Sequence, residues 1–232
     1  MSFFSRFACV ALLGASALPA ATITGYTLQY NSVGVLPGAG NVTGLLDGGG
    51  GSAYDISGTL DLYQGINPVS LNTAFNGPFS LRFTSATITC LSGPCGPVTL
   101  NFAAFVTFSG PAPTNVGGMF GADGTLPGGR SVAVGVEGNP APLVINNVMN
   151  EGEFFSVSAP FPAGFMPSTN TNTLVFLMGL QLSSGLGDGE AIFLPNSLFQ
   201  QLNTVADVPE PGTFAIVAAG LAGAFWFRRR LS

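Results

Sequence analysis

Apolar and polar residues alternate with a period of two along much of this chain. Tyr54, Ile56, Leu60 and Leu62 fall on one face, and Asp55, Ser57, Thr59 and Asp61 on the other. That pattern predicts a strand with one face in a core and one in water. Val98, Leu100, Phe102, Val106 and Phe108 repeat it, as do Phe79, Leu81 and Phe83 against Ser80, Arg82 and Thr84. Ile88 then falls out of phase with Phe83, which predicts a β-bulge between them. Val132, Val134 and Val136 form a shorter case, and further short strands are expected at Thr22 to Tyr30, Leu143 to Asn146, Phe154 to Ala159 and Ala191 to Leu194. Leu174 to Leu182 is apolar at nearly every position and predicts a central strand covered on both faces. Asn196 to Leu202 is expected to supply one helical turn.

Gly, Pro and Asn punctuate these runs at Asp47 to Gly51, Asn67-Pro68, Asn76 to Pro78, Gly110 to Gly118, Gly128-Gly129, Gly138 to Pro140 and Gly185 to Gly189. Short strands at this turn density predict an all-β body, an antiparallel β-sandwich or jelly roll. A sustained internal repeat is missing, which argues against a propeller or solenoid.

Both ends depart from the alternation. Met1 to Ala21 carries one early positive charge, Arg6, then an apolar run from Phe7 to Leu18 and small residues at Ala17, Ala20 and Ala21. This is the layout of a secretory signal helix cut near Ala20 or Ala21. At the other end, Thr213 to Phe227 has no charged residue and no polar face, so it is expected to be a single transmembrane helix and not a core helix. Its 15 residues reach roughly 22 Å as a helix, short of the roughly 30 Å hydrocarbon core. It spans with local thinning or with Arg228, Arg229 and Arg230 snorkelling to the interface, where Trp226 also sits. Three arginines favour the cytoplasmic side and leave the body outside.

The order Val208-Pro209-Glu210-Pro211-Gly212-Thr213, apolar helix, arginine cluster resembles the PEP-CTERM sorting signal of Gram-negative bacteria. The resemblance covers residues 208 to 232 alone. It implies that an integral-membrane exosortase recognises the tail and cleaves near Pro-Glu-Pro, passing the body to the envelope or to an extracellular-polysaccharide matrix of the biofilm kind. Val208, Pro209, Glu210, Pro211 and Gly212 are then processing residues, and Arg228, Arg229 and Arg230 the stop of a transient inner-membrane anchor. The resulting organisation is a signal peptide at 1–21, an extracellular domain at 22–207, and a sorting signal at 208–232 with its helix at 213–227.

Composition narrows what the body can do. Charged residues are 7% of the chain, and 22–207 holds two arginines against ten acidic residues, a net charge of −8. Nucleic acid is excluded as a partner, because phosphate binding needs clustered Lys and Arg. Gly and Pro together make 50 of 232 residues, below the share of a disordered chain, and 47% hydrophobic residues with 20 Phe suffice for a core. Cys90 and Cys95 flank a Gly-Pro turn and lie in what is read as an oxidising compartment, so a disulfide between them is preferred over two free thiols.

The chain contains neither His nor Lys. Ser-His-Asp and Cys-His catalysis, His-ligated metals and Schiff-base chemistry all fall away, and no zinc or other metal site is expected. Gly48 to Gly51 lacks the Lys-Ser/Thr of a phosphate loop and reads as a hairpin tip. Glu151 and Glu153 could form a carboxylate pair of the glycosidase type, but solvated edge residues look the same. Asp188-Gly189-Glu190 and Asp123-Gly124 could lend oxygens to calcium, yet acidic residues beside glycine ordinarily make turns. Tyr26, Tyr30, Tyr54 and Tyr63 fit core or edge positions equally. The expectation is a cofactor-free, non-enzymatic, exported protein of the envelope or matrix with a structural or adhesive role. The alternative is an extracellular carbohydrate-binding module on exopolysaccharide.

Overall fold

Strands, and no helix, make up the regular structure of the described residues in this computed structural model, which describes 21–35, 40–74, 77–111, 114–136, 142–147, 153–160, 169–170, 172–195 and 198–205. In chain order the strands are β1 (Thr22–Tyr30), β2 (Val33–Val35), β3 (Asn41–Gly49), β4 (Ser52–Gln64) and β5 (Asn67–Pro68). Then come β6 (Gly77–Leu91), β7 (Val98–Ser109), β8 (Thr114–Leu126), β9 (Arg130–Val136) and β10 (Leu143–Asn147). The last are β11 (Glu153–Pro160), β12 (Thr169–Asn170), β13 (Thr173–Leu182), β14 (Ala191–Leu194) and β15 (Leu198–Val205).

They form two antiparallel sheets. The first runs β10-β9-β13-β7-β1-β2, with β12 on β13. The second runs β11-β8-β14-β6-β4-β3, with β15 also between β8 and β6, and β5 on β4. β14 and β15 occupy one lane in succession, interrupted after Leu194 by Pro195, which has no N–H to give to a ladder.

Alternation decides which face is buried. Leu100, Phe102, Ala104 and Val106 of β7 and Leu174, Phe176, Met178, Leu180 and Leu182 of β13 point into one core shared with Tyr54, Ile56, Leu60 and Leu62 of β4 and Phe79, Leu81 and Phe83 of β6. Phe83 of the second sheet and Phe102 of the first lie 4.6 Å apart between ring centroids, so the two apolar faces meet directly. Each fully buried side chain of this size contributes about 1.5–3 kcal/mol.

The phase break in β6 is a bulge: Ser57 faces Thr87 while Thr59 faces Thr84, leaving Ser85 as the extra residue with φ 50°. It shifts the buried set from Phe79, Leu81 and Phe83 to Ala86, Ile88 and Cys90 without turning the strand's apolar face outward.

Three expectations need correction. Residues from Leu198 onward form β15, not a helical turn, because Leu198, Gln200 and Leu202 all face the core at strand spacing. The glycine-rich stretch ending at Gly118 is largely strand: β8 begins at Thr114, and two glycines further along it, Gly121 and Gly124, are sites of close approach. A Cβ on Gly121 would strike the Val157 carbonyl, and one on Gly124 the Phe193 carbonyl. β13 is central in its pairing, between β9 and β7, but sealed on one face only, since Val175, Leu177 and Gly179 are half-exposed and Gln181 exposed. Among the described residues no helix is long and apolar enough to cross a membrane; Met1 to Ala20 and Thr213 to Phe227 lie outside them.

Candidate functional site

At one end of the body three loops are tied together around a disulfide. Cys90 ends the buried run of β6, and Cys95 is bonded to it with Sγ–Sγ 2.04 Å. The Cys95 N–H donates to the Leu186 carbonyl (2.8 Å) and the Leu186 N–H to the Cys95 carbonyl (3.2 Å). The Gly96 N–H donates to Gly48 O (2.7 Å), and Tyr54 Oη to Gly96 O (2.7 Å). Gly49, Gly50 and Gly51, all at positive φ, make the β3–β4 hairpin tip beside it. Burial pushes the Tyr54 phenol up from its ordinary pKa, so it stays a donor.

The acidic residues near this end are engaged within the protein. Glu190 Oε2 accepts from Arg130 Nε and from the Gly187 N–H, each at 2.6 Å. The Arg130 hydrogen bond holds the Glu190 carboxyl below the usual glutamate range. Asp188 Oδ1 accepts from the Gly93 N–H at 2.8 Å, and the Glu190 N–H donates to Gly187 O, closing a turn. Asp123 lies apart on β8, opposite Ser156 of β11. Among the described residues no group of three or more His, Cys, Asp or Glu could hold a metal ion. Glu151 lies outside the described residues, and Glu153 opens β11. The tyrosines divide: Tyr54 is core, Tyr26 and Tyr30 pack partly against it, and Tyr63 carries the Arg82 guanidinium 4.9 Å from its ring centroid.

The outer face of the first sheet carries a trough of about 500 Å³ that sequence reading did not single out. Its floor is small: Gly179 of β13 stands directly across from Gly135 of β9, with Ala103 of β7 one step along. Phe105 and Leu177 rise beside it as apolar groups, and Gln29, Asn101 and Ser32 as uncharged polar ones. The β1–β2 turn fixes the last of these. Asn31 and Ser32 both have positive φ (44° and 66°), the conformation of a two-residue hairpin loop. Asn31 then clips the turn to β7, donating its N–H to Asn101 O (2.8 Å) and accepting the Asn101 N–H on Oδ1 (2.9 Å).

Gly135 and Gly179 are unusual in this setting. Neither has positive φ, and a Cβ on Gly135 would meet nothing within 4 Å, while one on Gly179 would meet Asn101 Oδ1 at 3.5 Å. Glycine in a strand interior costs about 0.5–1 kcal/mol, and here neither backbone strain nor tight packing demands it. The signal that could have found the trough was in the sequence, as Val134-Gly135-Val136 and Met178-Gly179-Leu180 interrupting aliphatic strands.

Fold and loops together define an antiparallel all-β protein stapled by one short-loop disulfide, with residues 206–232 outside the described structure. The family model of the PEP-CTERM protein-sorting motif matches residues 207–230, which include Val208 to Gly212 and Arg228 to Arg230. The chain thus carries the sorting signal of an exported, envelope-directed protein whose processing partner is an exosortase. No curated protein and no solved structure matches the chain.

Proposed function

We propose that this protein is a non-enzymatic β-sandwich delivered through a signal peptide and cut at its C-terminal signal, to act as a structural or adhesive component of the envelope or extracellular matrix. The observation that carries this reading is the sorting motif at 207–230 behind an all-β body with neither His nor Lys for catalysis. The two sheets facing one core support the sandwich. Before cutting, Thr213 to Phe227 holds the chain in the inner membrane with Arg228 to Arg230 in the cytoplasm. Intact mass of the exported protein tests the proposal. The expected product lacks the first twenty or so residues and everything beyond the Pro-Glu-Pro region; a product still carrying Trp226 and the arginines refutes processing. Glu151→Gln should leave any property of the exported protein unaltered, in line with a body that performs no acid–base chemistry.

A second reading, an extracellular carbohydrate-binding module, is favoured by one specific observation: the uncharged trough on the outer face of the first sheet.

A further inference from the structure

We propose that this trough is a binding site for a neutral polysaccharide chain, a proposal that rests on the adhesive, matrix-associated reading above and gives it a ligand class. Three features carry it. The first is the floor, where Gly135 and Gly179 pair across neighbouring strands and Ala103 follows. Glycine inside a strand marks a place where something approaches the backbone closely, and no described side chain fills the space above Gly135.

The second is the lining. Phe105 and Leu177 offer apolar surface, while Gln29, Asn101 and Ser32 offer amide and hydroxyl groups that both donate and accept. A pyranose ring has the complementary build, with apolar C–H faces and a rim of hydroxyls. A trough of about 500 Å³ lies within the range of small-ligand sites, and a few placed polar groups on an apolar surface are what fix such a ligand's orientation.

The third is charge. None of the residues lining the trough is charged, and the body carries two arginines against ten acidic residues. An acidic polymer meets net repulsion and finds no cation in the trough; a neutral one does not. The occupant is therefore an uncharged glycan and not a polyuronate.

The test uses the exported protein, titrated by calorimetry with neutral hexasaccharides (cello-, malto- and xylo-) and with oligogalacturonate. Binding of at least one neutral oligomer and not of the acidic one is expected. Gly179→Val places a β-branched side chain on the floor at ordinary contact distance, 3.5 Å from Asn101 Oδ1, so the strand tolerates it while the trough closes. It should weaken binding at least about tenfold without lowering the thermal midpoint, and Gly135→Val, in open space, should do likewise. No binding of any neutral probe, binding of the acidic one alone, or binding that both valine variants leave intact overturns the proposal. An uncut protein that still binds a neutral oligomer through the trough would refute the processing reading and leave this site standing. A correctly cut protein that binds none would do the reverse.

Discussion

Gln200 is fully buried on β15 between Leu198 and Leu202, opposite Leu81 and Phe120, and neither Nε2 nor Oε1 has a hydrogen-bond partner among the described residues. A buried polar group left unpaired costs about 1–3 kcal/mol. Methionine has nearly the same shape with no such need, so Gln200→Met should raise the unfolding free energy by roughly 1–2 kcal/mol, read as a higher urea midpoint at unchanged slope. A lower midpoint would mean that a buried water satisfies the amide. Asp61 gives a second residue-scale test, this one dependent on pH. It is buried beside Leu62, whose N–H it accepts at 2.8 Å, and desolvation raises its pKa. With a raised folded pKa, the native state binds more protons than the unfolded chain just above the ordinary aspartate range. Stability therefore falls as pH climbs through the window between the two values, and the full burial penalty is present at neutral pH. Glu190, depressed by Arg130, works with the opposite sign: its contribution is present above the ordinary glutamate value and lost as pH falls through the depressed one. Asp61→Asn keeps the oxygen that Leu62 uses and removes the charge. It should be more stable than the parent at pH 7 and equal to it once the parent's Asp61 is protonated, as denaturant midpoints at pH 7 and below 3 would show. Tyr26, raised first by burial and then by the Asp61 charge, should titrate lower in the same variant.

At the scale of elements, the loop from Cys90 to Cys95 does more than close on itself, since backbone bonds from Cys95 and Gly96 reach Leu186 and Gly48. Replacing both cysteines by serine removes a short-loop closure of about 2 kcal/mol on the chain-entropy model. The loss should be local first: hydrogen exchange at the Cys95, Gly96 and Leu186 amides should speed up more than exchange in β7 or β13. The strands themselves were legible to different degrees. β1 and β14 match the short strands expected at Thr22 to Tyr30 and Ala191 to Leu194, and the bulge at Ser85 showed as a change of phase. β8 was hidden because Gly121 and Gly124 sit where alternation would place a side chain, and turn propensity masked a strand needed for tight packing against β11 and β14. β15 was hidden by Gln200, a polar residue at a core position. β13 looked doubly covered because Val175 and Leu177 are apolar on the outward side, where Leu177 lines the trough. Gly135 and Gly179 stood out in the sequence as glycines interrupting aliphatic strands, but that they meet Ala103 in one trough depends on three strands far apart in the chain arriving side by side.

For the whole molecule, the proposed division is between a body that folds through its own core and a tail that addresses it. β15, the last described strand, ends at Val205, and its inward Leu198 and Leu202 already pack into the shared core. The sorting motif begins at residue 207, just past that strand. Pro209 and Pro211 lack the N–H that a helix or a ladder would use, which suits this stretch to separating body from tail as proposed above. Changes there should alter destination and leave folding alone. Replacing Pro209, Glu210 and Pro211 together by alanine should leave the Cys90–Cys95 bond and the thermal midpoint as they were, while the exported product retains Trp226 and partitions with membranes. Replacing Arg228, Arg229 and Arg230 by serine attacks the other half of the signal: on the proposed reading these arginines are the cationic stop that sets the depth of the 15-residue apolar segment in the bilayer. That variant should also accumulate uncut, again with a body that melts like the parent. Were either change to lower the melting midpoint by several degrees, the tail would be part of the fold and the division drawn at residue 207 would be wrong.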